Sequence, residues 1–416
     1  MSFWAFLSQV LSPDGSCRMA VRKALAYLFS SQGLVASSNT SAYCQARSRL
    51  PEPLLRRTLT RVSRSLEARC SPQDLWHGHP VRIVDGTGVS MPDTPANQAL
   101  YPQPKGQKPG CGFPVMRLVA VFSLATGAIL SAATGSLHVH ESALLRRLGR
   151  LFRPGDVALG DRAFGGFLNI AWLYARRVDA VFRLHQRRKA DFKTGQRLGF
   201  RDHVVQWTKP VRRPKGVSPS LFRSLPDTLL VRQVEIRVRR PGFRTRRILL
   251  ATTLLDPQRY PKSALADLYL RRWRAELFLR DIKTTLGADV LRGQSPAMVR
   301  RELWMHLIAY NLVRSLMLRA ARLHHADPSR LSFKGTLDTL RTWAPVLAQA
   351  TGTPNQLDAL LDAMLLYIAT DPVPHRPHRI EPRARKRRPK NYPLLTRPRN
   401  QFVEIPHRNM YKKVLS

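Results

Sequence analysis

Two strand-like segments of this chain each run directly into an aspartate, and the elements around them come in an informative order. Apolar residues alternate along half-buried strands, whereas they recur every three to four positions along amphipathic helices. By these periods the predicted elements are, in chain order, strands at 81–85, 117–123 and 128–133, a helix at 141–152, a strand at 156–161, a helix at 166–177 and a strand at 179–185. This succession constrains the fold more than any other feature of the sequence.

Ribonuclease-H-like nucleases use this succession of three strands, a helix, a strand, a helix and a strand. In that architecture the first and fourth strands are neighbours, so Asp85 and Asp161, which lie on those strands, can converge on one site. Arg-rich, strand-like segments at 203–207, 228–240 and 246–255 break the scheme. We therefore predict an α/β fold: a ribonuclease-H-like catalytic core interrupted by a β-rich insertion, with helical N- and C-terminal regions.

Basic residues far outnumber acidic ones. The 69 Lys and Arg against 27 Asp and Glu give a formal net charge of +42, which an enzyme of small molecules has no evident reason to carry. Neutralising phosphates releases condensed counterions, so the charge indicates a polyanion partner, and DNA or RNA is the natural candidate. A membrane surface is the alternative, but the basic residues are spread along the chain without an amphipathic anchor.

Membrane and secretory features are not indicated. The uncharged stretch from Leu118 to Leu137 is about as long as a membrane span needs, but an Ala-Thr-Gly turn divides it and predicts a buried β-hairpin. The N-terminus has no basic region or cleavage site of a signal peptide. The four cysteines form no C-x-x-C pair, so neither a zinc site nor a disulfide framework is expected at Cys17, Cys44, Cys70 and Cys111.

We divide the chain into six parts. These are a helical, DNA-binding region at 1–75, a first part of the core at 76–186, the β-rich insertion at 187–255, a second part of the core at 256–325, a helical region at 326–372 and a basic, flexible tail at 373–416. Helices near 41–49 and 53–69 fit a helix-turn-helix, although a helical cap on the core explains them equally well.

A predicted long helix at 262–286 carries the most informative pattern. One stripe of it is apolar and should face the core, formed by Leu268, Ala275, Leu279, Ile282 and Leu286. Four polar side chains lie at the margin of that stripe, namely Tyr269, Arg272, Glu276 and Lys283. Phosphoryl transfer needs such a set: two divalent ions require carboxylates from separate parts of the fold, and cations hold the neighbouring phosphates.

Here the sequence resembles the DDE transposases of bacterial insertion sequences, specifically the insertion sequence 4 group. That group is marked by Tyr, two residues, Arg, three residues, Glu, six residues and Lys, which this chain has at 269–283. The resemblance extends to IVDGT (83–87), to GDRAF (160–164) and to the β insertion before the glutamate, and it covers roughly residues 40–400.

The resemblance implies metal-dependent DNA cleavage at transposon ends and strand transfer into target DNA. Two Mg²⁺ or Mn²⁺ ions would be bound by Asp85, Asp161 and Glu276, and DNA at the transposon end would be contacted by Tyr269, Arg272, Lys283 and Arg162. The partner would be double-stranded DNA, both inverted repeats and target, held by a homodimer in a synaptic complex. The implied place is the bacterial cytoplasm, at the nucleoid.

Other interpretations of these residues stay open. Some relatives cut through a DNA hairpin and stack an aromatic residue on a flipped base; Trp207 is the candidate here, but a packed core tryptophan is the commoner fate. Each carboxylate alone could serve a turn or a surface ion pair. A metal cluster at His138, His140 and Glu141 lacks a fourth partner, so a surface or capping role is favoured.

Two rival functions remain. A recombinase with a tyrosine nucleophile finds a superficial match at His407, Arg408 and Tyr411, and it would need no metal. A DNA-binding relative without catalysis, such as a decayed transposase or a repressor, would have no need of intact carboxylates.

Overall fold

A computed structural model of the chain describes residues 1–214, 216–238, 247–350, 354–374 and 395–402. Most of the predicted basic tail lies outside these residues, as do His407, Arg408 and Tyr411.

The helices are α1 Ser2–Leu11, α2 Cys17–Gln32, α3 Ser41–Arg49, α4 Glu52–Glu67, α5 Pro95–Leu100, α6 Glu141–Arg147, α7 Phe167–Tyr174, α8 Pro219–Ser224, α9 Lys262–Arg271, α10 Trp273–Arg280, α11 Pro296–Leu323, α12 Phe333–Gln349 and α13 Pro354–Ala369. The strands are β1 Val81–Ser90, β2 Val115–Ser123, β3 Ile129–Ser136, β4 Val157–Gly160, β5 Asp179–Arg183, β6 Gln196–Gly199, β7 Asp202–Thr208, β8 Thr228–Arg237 and β9 Arg247–Thr252.

These strands form one mixed sheet in the order β3-β2-β1-β4-β5-β9-β8-β7-β6. β1, β2 and β3 pair antiparallel, whereas β4 and β5 continue parallel to β1. The prediction that the first and fourth strands are neighbours is therefore confirmed. The carboxyl ends of β3, β4 and β5 consequently meet at the same edge of the sheet, which is where ligands bind in open α/β sheets.

Strands of the β-rich insertion extend this same sheet. β9 pairs antiparallel with β5 through Val181 and Thr252, Phe182 and Ala251, and Arg183 and Leu250. β6, β7 and β8 then add to β9 in antiparallel order. The segments predicted to begin at 203, 228 and 246 correspond to β7, β8 and β9, whereas β6 was not predicted. The sequence pattern also did not indicate that these strands join the core by hydrogen bonds.

Two apolar cores cover the two faces of the sheet. One face packs against α1, α4 and the helices from α9 onward, whose buried residues include Leu268, Ala275 and Leu279. The other face packs against α6 and α7 and includes Trp172 and Trp207. Because side chains alternate along a strand, the aspartate of β1 shares the face of Ile83 and Val89, which is the face of α9 and α10.

The predicted hairpin at 118–137 is confirmed as β2 and β3, and α11 fixes its turn. The backbone N–H of Ile129 donates to Asn311 Oδ1 at 2.9 Å, and the Asn311 amide donates back to the Ile129 carbonyl at 2.9 Å. The Tyr310 hydroxyl donates to the carbonyl of Gly127 at 2.7 Å, at a position where φ is +68° and glycine is favoured. Within the described ranges, no helix has the length and apolar character that a membrane crossing requires.

The two helices expected near 41–49 and 53–69, for which a helix-turn-helix and a helical cap were both open, are present as α3 and α4. Glu52 at the start of α4 accepts from Arg300 Nε at 2.9 Å and from the Trp304 indole at 3.1 Å. These bonds tie α4 to α11, so α4 acts as part of the helical layer over the sheet. Its basic side chains Arg57, Arg61 and Arg64 remain on the outer surface.

Candidate functional site

The two aspartates lie side by side where β1 and β4 part. The last parallel pair of the two strands is Val84 with Gly160, so Asp85 and Asp161 are the next residues on each. One expectation is corrected here: β1 does not end at Asp85 but continues to Ser90, paired with β2, and it forms one further parallel bridge between Ser90 and Val290. Asp85 thus lies within a strand, on backbone held by hydrogen bonds, while Asp161 begins the turn before α7.

The helix that carries Glu276 differs from the single helix predicted at 262–286. It is interrupted at Arg272, between α9 and α10, and its last turn at 281–285 is a π-helix. In this turn the Leu286 N–H donates to the Asp281 carbonyl, five residues back, at 3.0 Å. Such turns insert an extra residue in a helix and recur at functional sites. The predicted apolar stripe is buried throughout, at Leu268, Ala275, Leu279, Ile282 and Leu286.

Arg272 connects the carboxylate of the strand to that of the helix. Its Nη2 donates to Glu276 Oε1 at 2.9 Å, and its Nη1 lies 3.9 Å from Asp85 Oδ2. About two turns beyond Glu276, Lys283 Nζ donates to the Thr87 hydroxyl at 3.2 Å. Thr87 was not singled out from the sequence, although it lies two residues after Asp85 and the alternation of a strand places both on one face.

Burial and neighbouring charges shift the pKa values of two groups in the site, Asp85 and Tyr269. Burial raises the pKa of Asp85 to about 6; the Gly86 N–H and Arg272 act to lower it, while the charges of Glu276 and Asp161 raise it further. The charged form of Asp85 is therefore disfavoured mainly by burial, and the two neighbouring acidic groups add to this effect. Burial likewise raises the pKa of the Tyr269 hydroxyl to about 12, so this group stays protonated at neutral pH.

The donor set fits a hard divalent cation. The side chains of Asp85, Asp161 and Glu276 offer only carboxylate oxygens, the ligands that Mg²⁺ and Mn²⁺ prefer. A bound cation would stabilise the ionised form of Asp85. Among the described residues, however, no three His, Cys, Asp or Glu side chains already stand in a metal-holding group. The Arg272 guanidinium lies between two of the carboxylates, within 3.9 Å of Asp85 and 2.9 Å of Glu276.

The remaining candidates are placed as follows. Arg162 is exposed in the turn directly after Asp161. Trp207 is only 2% exposed, with Arg188 above its ring at 4.0 Å, so it is a packed core tryptophan as favoured from its sequence. His138, His140 and Glu141 form no metal-holding group in the described chain. The Glu141 carboxylate instead lies against Gly86, 2.8 Å from where a Cβ would stand.

Asp281, in the π-helical turn, gives a testable pH dependence. Burial raises its pKa to about 6, although Arg280 and Arg314 act to lower it. Since an unfolded Asp titrates near pH 4, the folded chain binds more protons between about pH 4 and 6, and stability falls as pH rises through that window. Asp281→Asn is expected to raise the free energy of unfolding by about 1–2 kcal/mol at pH 8 and by little at pH 4.

Urea unfolding of both proteins at the two pH values measures this difference. Asp289→Asn is the matched control, because Asp289 is an exposed aspartate eight residues further on. Its effect should be small and independent of pH. An equal gain for Asp281→Asn at pH 4 and pH 8 would show that removing the charge is not the cause.

Comparison with known proteins agrees with this geometry. A family model described as "Transposase DDE domain" matches residues 76–312, which include both aspartates and the glutamate helix. The chain is 30% identical to the transposase InsG for insertion sequence element IS4 of Escherichia coli (strain K12), over 85% of this chain and 78% of that protein. It is 27% identical to the putative transposase InsZ of the same organism, over 30% of this chain and 42% of that protein.

Among solved structures, the chain is similar to a piggyBac transposase in a synaptic complex with hairpin DNA. The TM-score is 0.45 at 9% identity, and the match covers 87% of this chain and 74% of that one. The family rests on the sequence matches and not on this likeness. With the family model over residues 76–312 and the InsG relative over most of both chains, this protein belongs to the DDE transposases, in the insertion sequence 4 group.

Proposed function

We propose that this transposase cuts DNA at transposon ends and joins them to target DNA, with divalent metal ions at Asp85, Asp161 and Glu276. The observation that best supports this proposal is the placement of the three groups relative to shared elements. Both aspartates follow the last parallel pair of β1 and β4, and Glu276 is bonded to the arginine that reaches Asp85. The order of the first five strands, with β1 between β2 and β4, supports a ribonuclease-H-like core.

Asp85, Asp161 and Glu276 would hold the two ions expected, Mg²⁺ or Mn²⁺. When bound, such ions activate a water or a 3′-hydroxyl and stabilise the charge on the departing oxygen. The protein's own part is to keep three acidic groups together despite their repulsion. It does so by fixing Asp85 in the middle of a paired strand and by supplying the Arg272 guanidinium to Asp85 and Glu276.

The cationic and hydroxyl groups of the site are suited to holding DNA phosphates. The Lys283 ammonium donates a hydrogen bond to Thr87, which lies on the same strand face as Asp85. This places its positive charge on the side of the sheet that carries Asp85. Arg162 is exposed one residue after Asp161. Tyr269 keeps its proton at neutral pH and is therefore a hydrogen-bond donor to a phosphate, not a nucleophile.

Charge and family support DNA as the partner. The net charge of +42 suits a polyanion, and the InsG relative is named as the transposase of an insertion sequence. We propose that two copies of the chain hold the two inverted repeats of one element, because both ends must be brought together for transfer. The N-terminal region at 1–75 would add duplex contacts through the outer arginines of α4.

Two other functions are less well supported. A DNA-binding relative without catalysis would have no need for Asp85 to lie within the electrostatic influence of both Asp161 and Glu276, as it does here. A tyrosine recombinase would place its nucleophile in the 407–411 segment, which lies outside the described residues. A covalent link between protein and DNA, trapped by denaturation during the reaction, would favour that alternative.

The test uses the DNA that flanks the gene. Inverted repeats bordered by short direct duplications identify the ends, and a plasmid carrying both repeats is the substrate. We expect double-strand cleavage at the repeats with Mg²⁺ or Mn²⁺ and none with EDTA or with scrambled repeats. Cleavage that continues undiminished in EDTA would contradict the metal-dependent mechanism.

A further inference from the structure

A groove of about 880 Å³ opens at the edge of the sheet that carries the aspartates. Its described walls come from the segments that follow β3, at 138–140 and 142–147, β4, at 163–169, and β5, at 185–188, and from the insertion at 210–214 and 216–217. Three arginines and three histidines line it, namely Arg146, Arg147, Arg188, His138, His140 and His185. We call it the arginine groove. The segment at 163–169 begins two residues after Asp161, so this wall of the groove follows directly on the turn that carries the second candidate carboxylate.

The arginine groove is strongly basic and lacks a counter-charge. No Asp or Glu is among its lining residues. In the described part of the chain, none of its three arginines has a carboxylate within 4.0 Å, although many other arginines do. Burial lowers the pKa of Arg146 and of Arg188, which shows that their charges are partly removed from water. Half-buried, unpaired guanidinium groups are stabilised when an anion binds beside them.

The guanidinium groups are also held in place by neutral partners. Arg146 Nη1 donates to Asn169 Oδ1 at 3.1 Å, and Asn169 is itself buried. Arg147 Nη1 donates to the Thr134 carbonyl at 3.1 Å. Arg188 lies flat over the buried Trp207, 4.0 Å from the ring centre. Side chains fixed in this way lose little further freedom when they bind, so they form a prepared site and not a mobile basic surface.

The volume of the groove favours a single strand of nucleic acid over a duplex. Sites for small ligands measure roughly 300–1,000 Å³, and the arginine groove falls within that range, far below what a duplex occupies. Proteins that hold single strands use basic grooves that follow the phosphates and add apolar or aromatic contacts. Val139, Phe167 and Pro210 supply apolar surface in this groove.

We propose that the arginine groove binds the sugar-phosphate backbone of a short single-stranded stretch of DNA next to the cut site. Arg146, Arg147 and Arg188 would each contact a phosphate of that strand. The choice of occupant rests on the proposed function, because separated strands arise at an end that is being cut and joined. The affinity of the groove for a single strand, however, can be measured without any catalysis.

The test measures binding of a fluorescent 12-nucleotide single strand and of a matched duplex to the full chain in EDTA. We expect Arg146→Gln/Arg188→Gln to weaken single-strand binding about 20-fold at 0.1 M salt, since each lost phosphate contact removes roughly 0.7 from the salt exponent. Duplex binding should weaken less than about threefold. The control Arg150→Gln/Arg153→Gln removes the same charge from two exposed arginines outside the groove and should change both affinities little.

A second pair of variants covers the case in which the double variant does not fold. Gly166 lines the groove at the N-cap of α7, with ordinary backbone angles and open space where a Cβ would stand. Asp and Asn are both good N-cap residues, so Gly166→Asp and Gly166→Asn should fold alike. We expect Gly166→Asp to bind the single strand at least fivefold more weakly than Gly166→Asn, with little difference for duplex.

Equal losses for single strand and duplex, or equal binding by Gly166→Asp and Gly166→Asn, would overturn the assignment. These outcomes are separable from the proposed function. If the wild-type chain cuts with metal but the groove variants bind single strands normally, only the groove proposal is refuted. If the wild-type chain binds single strands selectively but cuts no repeat, only the catalytic proposal is refuted.

Discussion

Glu276→Gln is expected to abolish cleavage at the inverted repeats, with a rate at least about 10³-fold below that of the wild type. The amide keeps the shape of the side chain and can still contact Arg272, which lies 2.9 Å from Glu276 Oε1. It cannot, however, supply the negative charge that a divalent ion requires. Single-turnover cleavage of a labelled repeat measures the rate, and Asp85→Asn and Asp161→Asn should behave in the same way.

Binding of the repeat, measured by gel shift in EDTA, should change by less than about threefold in these variants, since removing negative charge does not weaken attraction to DNA. Asp267→Asn is the matched control, because Asp267 is an exposed aspartate on α9 of the same helical segment. It should cut at close to the normal rate. A Glu276→Gln protein that retains even a tenth of the activity would exclude Glu276 as a metal ligand.

The second large effect is on stability, at a buried ion pair in the insertion. Arg232 is fully buried, and its Nε and Nη2 donate to the two carboxylate oxygens of Asp202 at 2.8 and 2.6 Å. Its Nη1 donates to the Tyr260 carbonyl at 2.8 Å, which ties β8 to the segment before α9. Arg232→Ala is expected to lower the free energy of unfolding by about 3–5 kcal/mol, because Asp202 is left charged and unpaired.

Urea unfolding measures this loss, and two further variants interpret it. Lys334→Ala breaks an exposed pair with Asp338 on α12 and should lower stability by less than about 1 kcal/mol. Adding Asp202→Asn to Arg232→Ala should recover part of the loss, since it removes the unpaired charge. A loss below about 1 kcal/mol for Arg232→Ala alone would mean that water reaches Asp202 in the variant.

Much of the core was predictable because local periodicity reports which residues are buried. Alternation identified the strands of the core, and the three-to-four-residue period identified α6, α7 and the buried stripe that ends at Leu286. The neighbouring positions of β1 and β4 were expected because the element order is that of ribonuclease-H-like nucleases. The roles of Asp85, Asp161 and Glu276 stay a prediction, supported by their arrangement, until the variants above are measured.

What escaped prediction depends on hydrogen bonds and contacts between distant segments. The continuation of β1 past Asp85 is decided by its pairing with β2, which the pattern of β1 does not record. The interruption at Arg272 and the π-helical turn from Asp281 shift the helix without changing which residues are apolar. The arginine groove joins four segments from 138 to 217, so nothing in any one of them indicates it.

The pairing of β5 with β9 has a consequence for how a cut end is chosen. Because Val181, Phe182 and Arg183 pair with β9, the insertion could swing away from the core only by breaking a row of backbone bonds inside the sheet. The arginine groove, which has walls from both, therefore has a width set at folding. On the proposed function a DNA end would have to adapt its own shape to this width, so discrimination among ends would depend on how easily each sequence melts or bends.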